Sequence, residues 1–502
     1  MTTTTAVTSP FDLPELRHRI SRFVAIEDAL SCALVCKEWT HDFVSAIWYK
    51  VDFYVHPRFA ELSPDTVSKH GHHIRIAIHT TSPSQVSILA NAQVNQLKTL
   101  HLVTINVSTS AEVLTGVEQN MQAYEILDRN SNTLQDFRQW ASSPSSFEAS
   151  DILTNSLQTP TPPVPMLDVV LATAMAPPER YRTMPNLKSL ELSHMILTYD
   201  NFLSILEASP SLFHLALLHT TFSGIPTRSF QHTGLKRLNS GIAFAFPLYP
   251  HSSIPGRPSL FSHFPNLTHL WTRQEGWGQE IHSARIKAEL AQYCPRLTGY
   301  LLSDRNPDII IDFCMRLGES PIVTELVFNL DALSTRGVMA ILSQKSTLSH
   351  LELFSMSREF DAEAYEVAAV SNYFQDSSLL LQMIPRECSH LNEFDLFLHE
   401  MDMDEVEQAE WACKDLKTLR IRVKGLNTKE RIFKAIALWR KGCWRRRRVK
   451  AVETTTIGGS MELLVDQQDM LDYPLEARVA RHLLKFQKLE NVWLGYQTWS
   501  PF

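Results

Sequence analysis

Between residues 97 and 494 one six-residue phrase keeps returning in altered form: an apolar residue, two variable ones, a second apolar residue, one variable, and a third that is apolar in nearly every copy. It reads LKTLHL (97–102), LKSLEL (187–192), LFHLAL (212–217), LTHLWT (267–272), LTGYLL (297–302), VTELVF (323–328), LSHLEL (348–353), LNEFDL (391–396), LKTLRI (416–421) and LENVWL (489–494). The starts at 187 and 212, 323 and 348, and 391 and 416 lie 25 residues apart, those at 297 and 323 lie 26 apart, and other gaps are wider. Alternation over so few residues predicts a short strand with one buried face. Recurrence in the mid-twenties predicts an array in which each unit buries its apolar side on its neighbours, not one compact core.

The segments between phrases have another period. Asn201–Ala208, Ile281–Tyr293, Asp308–Leu317, Thr335–Ser343, Lys429–Lys441 and Leu475–Phe486 place apolar residues three and four apart, which predicts amphipathic helices. Proline follows several, at Ser209-Pro210, Cys294-Pro295 and Ser320-Pro321, where it stops a helix. Helix, tight turn and short strand in repetition resemble a leucine-rich-repeat horseshoe. The resemblance implies one continuous core shared by strands and inner helix faces. One family feature is missing. Three residues after the last strand leucine the family carries Asn or Cys, whose side chain bonds backbone in the turn; Met195, Thr220 and Met356 stand there. A missing polar ladder and irregular curvature are therefore expected. The competing reading is an α/β domain with ordinary LxxL strands.

The N-terminal stretch FDLPELRHRISRFVAIEDALSCALVCKEWTHDFVSAIWYKVDF (11–53) is of a different kind. Pro14 suits the first turn of a helix. Leu16, Ile20 and Phe23 follow at helical spacing, as do Leu30, Leu34, Phe43 and Ile47, predicting two or three short amphipathic helices. So small a segment cannot bury that much apolar side chain alone, so part of it is expected to face another protein. The ordered pattern resembles an F-box, the module that docks on the Skp adaptor of cullin-RING ubiquitin ligases. The resemblance implies that Leu13, Pro14, Leu16, Ile20, Leu34, Val35, Cys36 and Trp39 fill or shape the adaptor interface, with Trp39 as the leading anchor. The competing reading is a helical hairpin that caps the next domain.

The expected fold class is thus α/β: a short three-helix F-box, then an irregular leucine-rich-repeat solenoid. The boundaries read as a disordered terminus at 1–10, the F-box at 11–55 and the solenoid at 56–502. A Ser/Thr/Pro-rich insert (142–165) and a Pro-rich loop (246–258) interrupt it, both without apolar periodicity. His72–Ile78 alternates well enough to be a further strand.

Composition narrows the function. Lys plus Arg total 47 against 54 Asp plus Glu, a net charge of −7, where a nucleic-acid binder carries a basic excess. No 18-residue apolar run occurs, and the stretch Met166–Ala176 is broken by Asp168, so no membrane span is expected. MTTTTAVTSP lacks the basic and apolar regions of a secretion signal. Seven scattered cysteines read as reduced thiols, placing the chain in the cytoplasm, the nucleus or both. EGWGQE lacks the third glycine of GxGxxG, and GxxxxGK[ST], GxSxG and HExxH are absent. No cofactor, metal or catalytic residue is expected. Cys32 with Cys36, the histidines at 70, 72 and 73, and MDMDEVE (401–407) read more simply as packed side chains, a polar strand edge or surface histidines, and an acidic helix start than as metal sites. RKGCWRRRRVK (440–450) is either an import signal at Arg445–Arg448 or a solvated loop.

In each phrase the fourth and sixth residues should face the core and the third and fifth the concave side. That side would carry Trp271, Glu352, Glu393, Asp395, Arg420 and Trp493, an acidic middle with aromatic anchors, suited to a basic substrate segment with an apolar side chain. The expected function is the substrate-recognition subunit of a Skp-cullin-F-box ubiquitin ligase. The alternatives are an F-box and repeat scaffold without ubiquitin transfer, and an enzyme on an α/β fold.

Overall fold

Every recurring phrase enters a strand at its third residue. The computed structural model describes residues 13–21, 23–105, 122–123, 125–142, 183–193, 196–218, 220–223, 225–240, 259–273, 283–303, 311, 314–315, 323–329, 335–354, 378–452 and 465–494. The expected disordered segments 1–10 and 246–258, and all of 142–165 but Ser142, lie outside these. The chain divides into two compact units, Met1–Pro265 and Asn266–Phe502.

The first unit opens with helices Pro14–Ser21 (α1), Ile26–Ala33 (α2) and Lys37–Ile47 (α3). Strand Lys50–Asp52 (β1), helix Pro64–His70 (α4), strand Ile76–Thr80 (β2), helix Pro83–Asn91 (α5) and strands Thr99–Ile105 (β3) and Asp136–Ser142 (β4) follow. Next come Ser189–Ser193 (β5), Ile196–Thr198 (β6), helix Tyr199–Ala208 (α6), His214–Leu218 (β7), Thr221–Ser223 (β8) and Arg237–Ser240 (β9). The sheet order is β1-β2-β3-β4-β5-β7-β9, all parallel, with β6-β8 a separate parallel pair. Helices start where chemistry favours it: Ser82 and Gln85 form a capping box at α5, and Thr198 caps α6.

The second unit repeats the scheme with His269–Arg273 (β10), Ser283–Tyr293 (α7), Gly299–Ser303 (β11), Glu325–Asn329 (β12), Thr335–Leu342 (α8), His350–Phe354 (β13), Ser378–Glu387 (α9) and Glu393–Met401 (β14). It continues with Met403–Glu407 (α10), Thr418–Val423 (β15), Lys429–Val452 (α11), Gln467–Asp472 (α12), Pro474–Leu483 (α13) and Asn491–Leu494 (β16). Strands β10 to β16 pair in parallel in chain order.

One hydrogen-bond unit sets the register. The carbonyl of each phrase's second residue accepts from the N–H groups of the second and third residues of the next. Thus Lys98 O accepts from Gln135 and Asp136 (2.8 and 3.0 Å), and Ser349 O from Asn392 and Glu393 (2.7 and 3.0 Å). With register held, the same phrase positions stack from strand to strand. First-position Leu97, Leu187, Leu212, Leu267, Leu297, Leu348, Leu391 and Leu416 are fully buried. Leu190, Leu192, Leu351, Leu353, Phe394, Leu396, Leu419 and Ile421 at the fourth and sixth positions are buried as well. Each such side chain contributes about 1.5–3 kcal/mol. Third and fifth positions stay half-exposed or exposed in most strands, as in the iBiBiB pattern of β15, so the sheet has one buried face. Parallel sheets of doubly wound domains are covered on both.

Two expectations change. Gly71–His73 is a 3-10 turn and the strand begins at Ile76; Gly71 packs against the Ala92 backbone, where a Cβ would lie 2.3 Å from the Ala92 oxygen. The turn positions are also not devoid of polar bonds. Thr220 is buried and donates to Leu192 O at 2.8 Å, while Met195 and Met356 lie outside the described residues. Asn130 donates to Val94 O (2.8 Å) and Ile126 O (2.7 Å) and accepts from Leu97 N–H (2.7 Å). His232 Nε2 donates to Ser209 O at 2.9 Å, and its Nδ1 accepts from Leu235 N–H at 3.1 Å. Mixed side chains thus satisfy the buried backbone of the turns.

In the second unit His482 is buried between Trp411 and Phe486, ring centroids 4.7 and 5.3 Å away, and neither ring nitrogen has a hydrogen bond. Burial, then Lys485 and Lys414, pull its pKa down to about 3. Between the unfolded value near 6.5 and about 3, only the unfolded chain binds this proton, so stability falls as pH falls through that window. His482→Leu is expected to reduce the loss of stability between pH 7 and pH 4 by about 3 kcal/mol in denaturant titrations. Parallel pH profiles for the two proteins would contradict this.

Candidate functional site

Helices α1 and α2 both pack on α3. Arg17 Nε donates to Asp42 Oδ2 at 2.6 Å, both side chains largely buried, tying α1 to α3. Thr40 Oγ1 donates to Ala33 O, tying the end of α2 to the start of α3. The interior of this small bundle uses Ala29, Ala33, Phe43 and Ile47. That leaves other apolar residues outside. Leu34 is 88% exposed, Val35 64% and Phe23 89%, and Leu13, Leu16, Ile20 and Leu30 are exposed too. Seven of the twenty exposed large apolar residues among the described residues thus fall between positions 13 and 35, a density that ordinary surface does not show. Leu34 and Val35 are held there, because their N–H groups donate to Ser31 O (3.2 Å) and Cys32 O (3.1 Å) at the end of α2.

Of the residues expected at an adaptor interface, Leu13, Pro14, Leu16, Ile20, Leu34, Val35 and Cys36 are on the surface. Trp39 is half-buried and stacks on Phe43, centroids 5.4 Å apart, so its ring also serves the bundle. Phe23 and Leu30 are exposed members that helical spacing alone assigned to no interface. An apolar residue in the α1–α2 link, where no helix face can bury it, was the available signal.

The second candidate surface is the half-exposed strand face of the second unit. Trp271 is exposed. The acids expected to form its open acidic middle are instead partnered. Glu393 Oε2 accepts from His350 Nδ1 at 2.8 Å, and Glu352 lies 3.8 Å from His350 Nε2. Burial works against protonation of His350, but Glu352 and Glu393 outweigh it and raise its pKa. Asp395 pairs with Arg420 at 2.8 Å, and the Arg420 guanidinium lies over the Trp493 ring, 4.8 Å from its centroid. Strand register brings these groups together: Glu352 is opposite Asp395, Asp395 opposite Arg420, and Arg420 opposite Trp493.

His269 and Glu325 form a pair that phrase reading did not find, Nε2 to Oε2 at 3.0 Å. They sit on β10 and β12, with Gly299 of β11 between them in register. A Cβ at Gly299 would lie 2.3 Å from His269 Cδ2, so the missing side chain is what lets the imidazole reach across a strand. The first unit holds a comparable row: Trp140 Nε1 donates to Glu191 Oε1 at 2.6 Å, and Arg138 lies 3.7 Å from Glu191 and 3.5 Å from Asp136.

The other sequence features resolve locally. Cys294, Cys388 and Cys413 are buried three residues before a phrase, and burial pushes each thiol up to about 12. His70 stacks on Trp48 at 4.9 Å, and among the described residues no three metal-ligating side chains gather. Asp402 caps α10, and Arg478 bridges Asp404 (2.6 Å) and Glu407 (2.7 Å). The basic run is helical, not a loop, to Val452, with Arg445 bidentate on Asp466 (2.6 and 2.9 Å) and Lys441 on Asp466 and Asp469 (2.7 and 2.8 Å). Among the described residues no helix is long and apolar enough to cross a membrane. No protein-family model matches the chain, and no curated protein matches it either.

Gly299→Ala is expected to cost about 1–3 kcal/mol by forcing His269 aside. Adding His269→Ala should recover most of that loss, a coupling readable in a double-mutant cycle by thermal melts. A Gly299→Ala protein as stable as wild type would remove the steric explanation.

Proposed function

We propose that this chain is the substrate-recognition subunit of a Skp-cullin-F-box ubiquitin ligase. In this reading α1–α3 are an F-box that docks on the Skp adaptor, and the parallel strands of the two units belong to an irregular leucine-rich-repeat solenoid that receives the substrate. The carrying observation is the exposed apolar set along residues 13–35, above all Phe23, Leu34 and Val35 in the links between the helices. A three-helix bundle with its own small core and so much apolar surface held outward fits a partner-binding module. Support for the solenoid comes from strands that pair in chain order, phrases about 25 residues apart, and a sheet buried on one face only.

The receiving surface in this reading is the open strand face of the second unit. Its acids are partnered within the face by His350 and Arg420, so the basic-segment expectation becomes a surface of paired polar groups with Trp271 as exposed apolar anchor. The subunit itself needs no nucleophile. Holding a substrate lysine near the charged conjugating enzyme raises its effective concentration, and that alone accelerates transfer.

The test is calorimetric titration of the full chain with purified Skp adaptor. Leu34→Asp combined with Val35→Asp should weaken binding at least ~100-fold, the loss of about 3 kcal/mol typical of central apolar anchors. The melting temperature should stay unchanged, since both side chains face solvent. Wild-type affinity in that variant, or no binding by the wild-type chain, would refute adaptor docking.

A further inference from the structure

A cleft of about 820 Å³ lies between the N-terminal helices and the first strands of the same unit. Its lining includes Lys50, Arg75, Lys98, His18, His56 and His73. Strand register brings Arg75 and Lys98 to one level, and Lys50 lines the same cleft. Arg75 N–H donates to Tyr49 O (3.0 Å) and Lys98 N–H to Arg75 O (2.7 Å), so these two residues occupy the same level of adjacent strands, about 4.8 Å apart. Lys50 stands opposite Ile76, one residue along. Like charges side by side on a sheet are unfavourable unless an anion joins them.

The protein supplies little to offset them. Among the described residues Asp52 is the one carboxylate lining the cleft, and it is already engaged. It accepts from His79 Nδ1 (2.8 Å) and from Tyr54 and Val55 N–H (both 3.2 Å), with Lys50 Nζ at 3.4 Å. Arg75 is half-buried and fixed by Nη1, which donates to His72 O (2.6 Å) and Ile74 O (3.2 Å). Among the described residues no carboxylate pairs with Arg75 or Lys98, which leaves the rest of the Arg75 fork for a ligand. Burial lowers the pKa of the Arg75 guanidinium, and burial followed by His72, His70 and Arg75 lowers that of His73.

We propose that the cleft between α1–α2 and β1–β3 is a binding site for a small anion of the polyphosphate class, held by Arg75, Lys98 and Lys50. The volume is that of a small-molecule site. Three fixed cations, one of them a pinned guanidinium fork, suit several phosphate groups better than one. The site stands apart from adaptor docking, since Phe23, Leu34 and Val35 do not line it. A ligand there would bridge the helical bundle and the sheet edge, and so stabilise their junction.

The experiment is calorimetric titration of the full chain with sodium tripolyphosphate, with thermal melts in parallel. Inorganic phosphate and a phosphoserine tetrapeptide form the other arms. Tripolyphosphate should bind and raise the melting temperature, with inorganic phosphate at least ~10-fold weaker. Arg75→Gln, and separately Lys50→Gln with Lys98→Gln, should each weaken binding about 10-fold. Lys417→Gln, the second-position lysine of β15's phrase, should not. Should Arg75→Gln fold poorly, the lysine pair decides, because both lysine side chains are exposed. The proposal is overturned by absent tripolyphosphate binding or by undiminished affinity in the lysine pair. It is equally overturned if inorganic phosphate binds as tightly, or if the phosphopeptide binds more tightly than tripolyphosphate.

Discussion

A single backbone carbonyl, accepting two N–H groups from the following phrase, organises both units. It recurs from Tyr49 through Arg75, Lys98, Gln135, Lys188 and Phe213 in the first unit. In the second it runs from Thr268 through Thr298, Thr324, Ser349, Asn392 and Lys417. Because the bonded residue occupies the same phrase position each time, register cannot drift by one without turning every buried leucine outward. The phrases can therefore vary at their second, third and fifth residues while keeping one core. Function has those positions to work with.

What occupies them differs along the chain. Where they are cationic, at Arg75 and Lys98, charge accumulates beside a cleft. Where they alternate, at His350, Glu352, Glu393, Asp395 and Arg420, the groups pair along and across strands. Among the described residues, identical backbone geometry thus yields a cleft lined by unpaired cations in one unit and a face of partnered charges in the other. The N-terminal helices follow another rule: their core is so small that apolar surface remains outside whatever the register.

Much of the fold was legible because leucine spacing reports burial directly. All ten phrases became strands, and the helix periods at Thr335–Leu342 and Pro474–Leu483 fell within a residue or a few of expectation. Strands β4 and β9 went unread, since LQDFRQ and LKRLNS end in Gln139 and Ser240, polar residues that are buried all the same. Pairings across strands were not legible. Neither the His350 partners nor the reach of His269 over Gly299 can be found until register says which residues are neighbours. The exposed helical residues were legible as apolar but not as exposed, because that depends on how little α3 can cover.

The most direct measurement is hydrogen–deuterium exchange of the full chain with and without purified Skp adaptor. Slowed exchange confined to residues 13–47, with β10–β16 unchanged, is the result that adaptor docking by α1–α3 requires. Unchanged exchange in 13–47 at saturating adaptor, or protection only within 266–502, would contradict it.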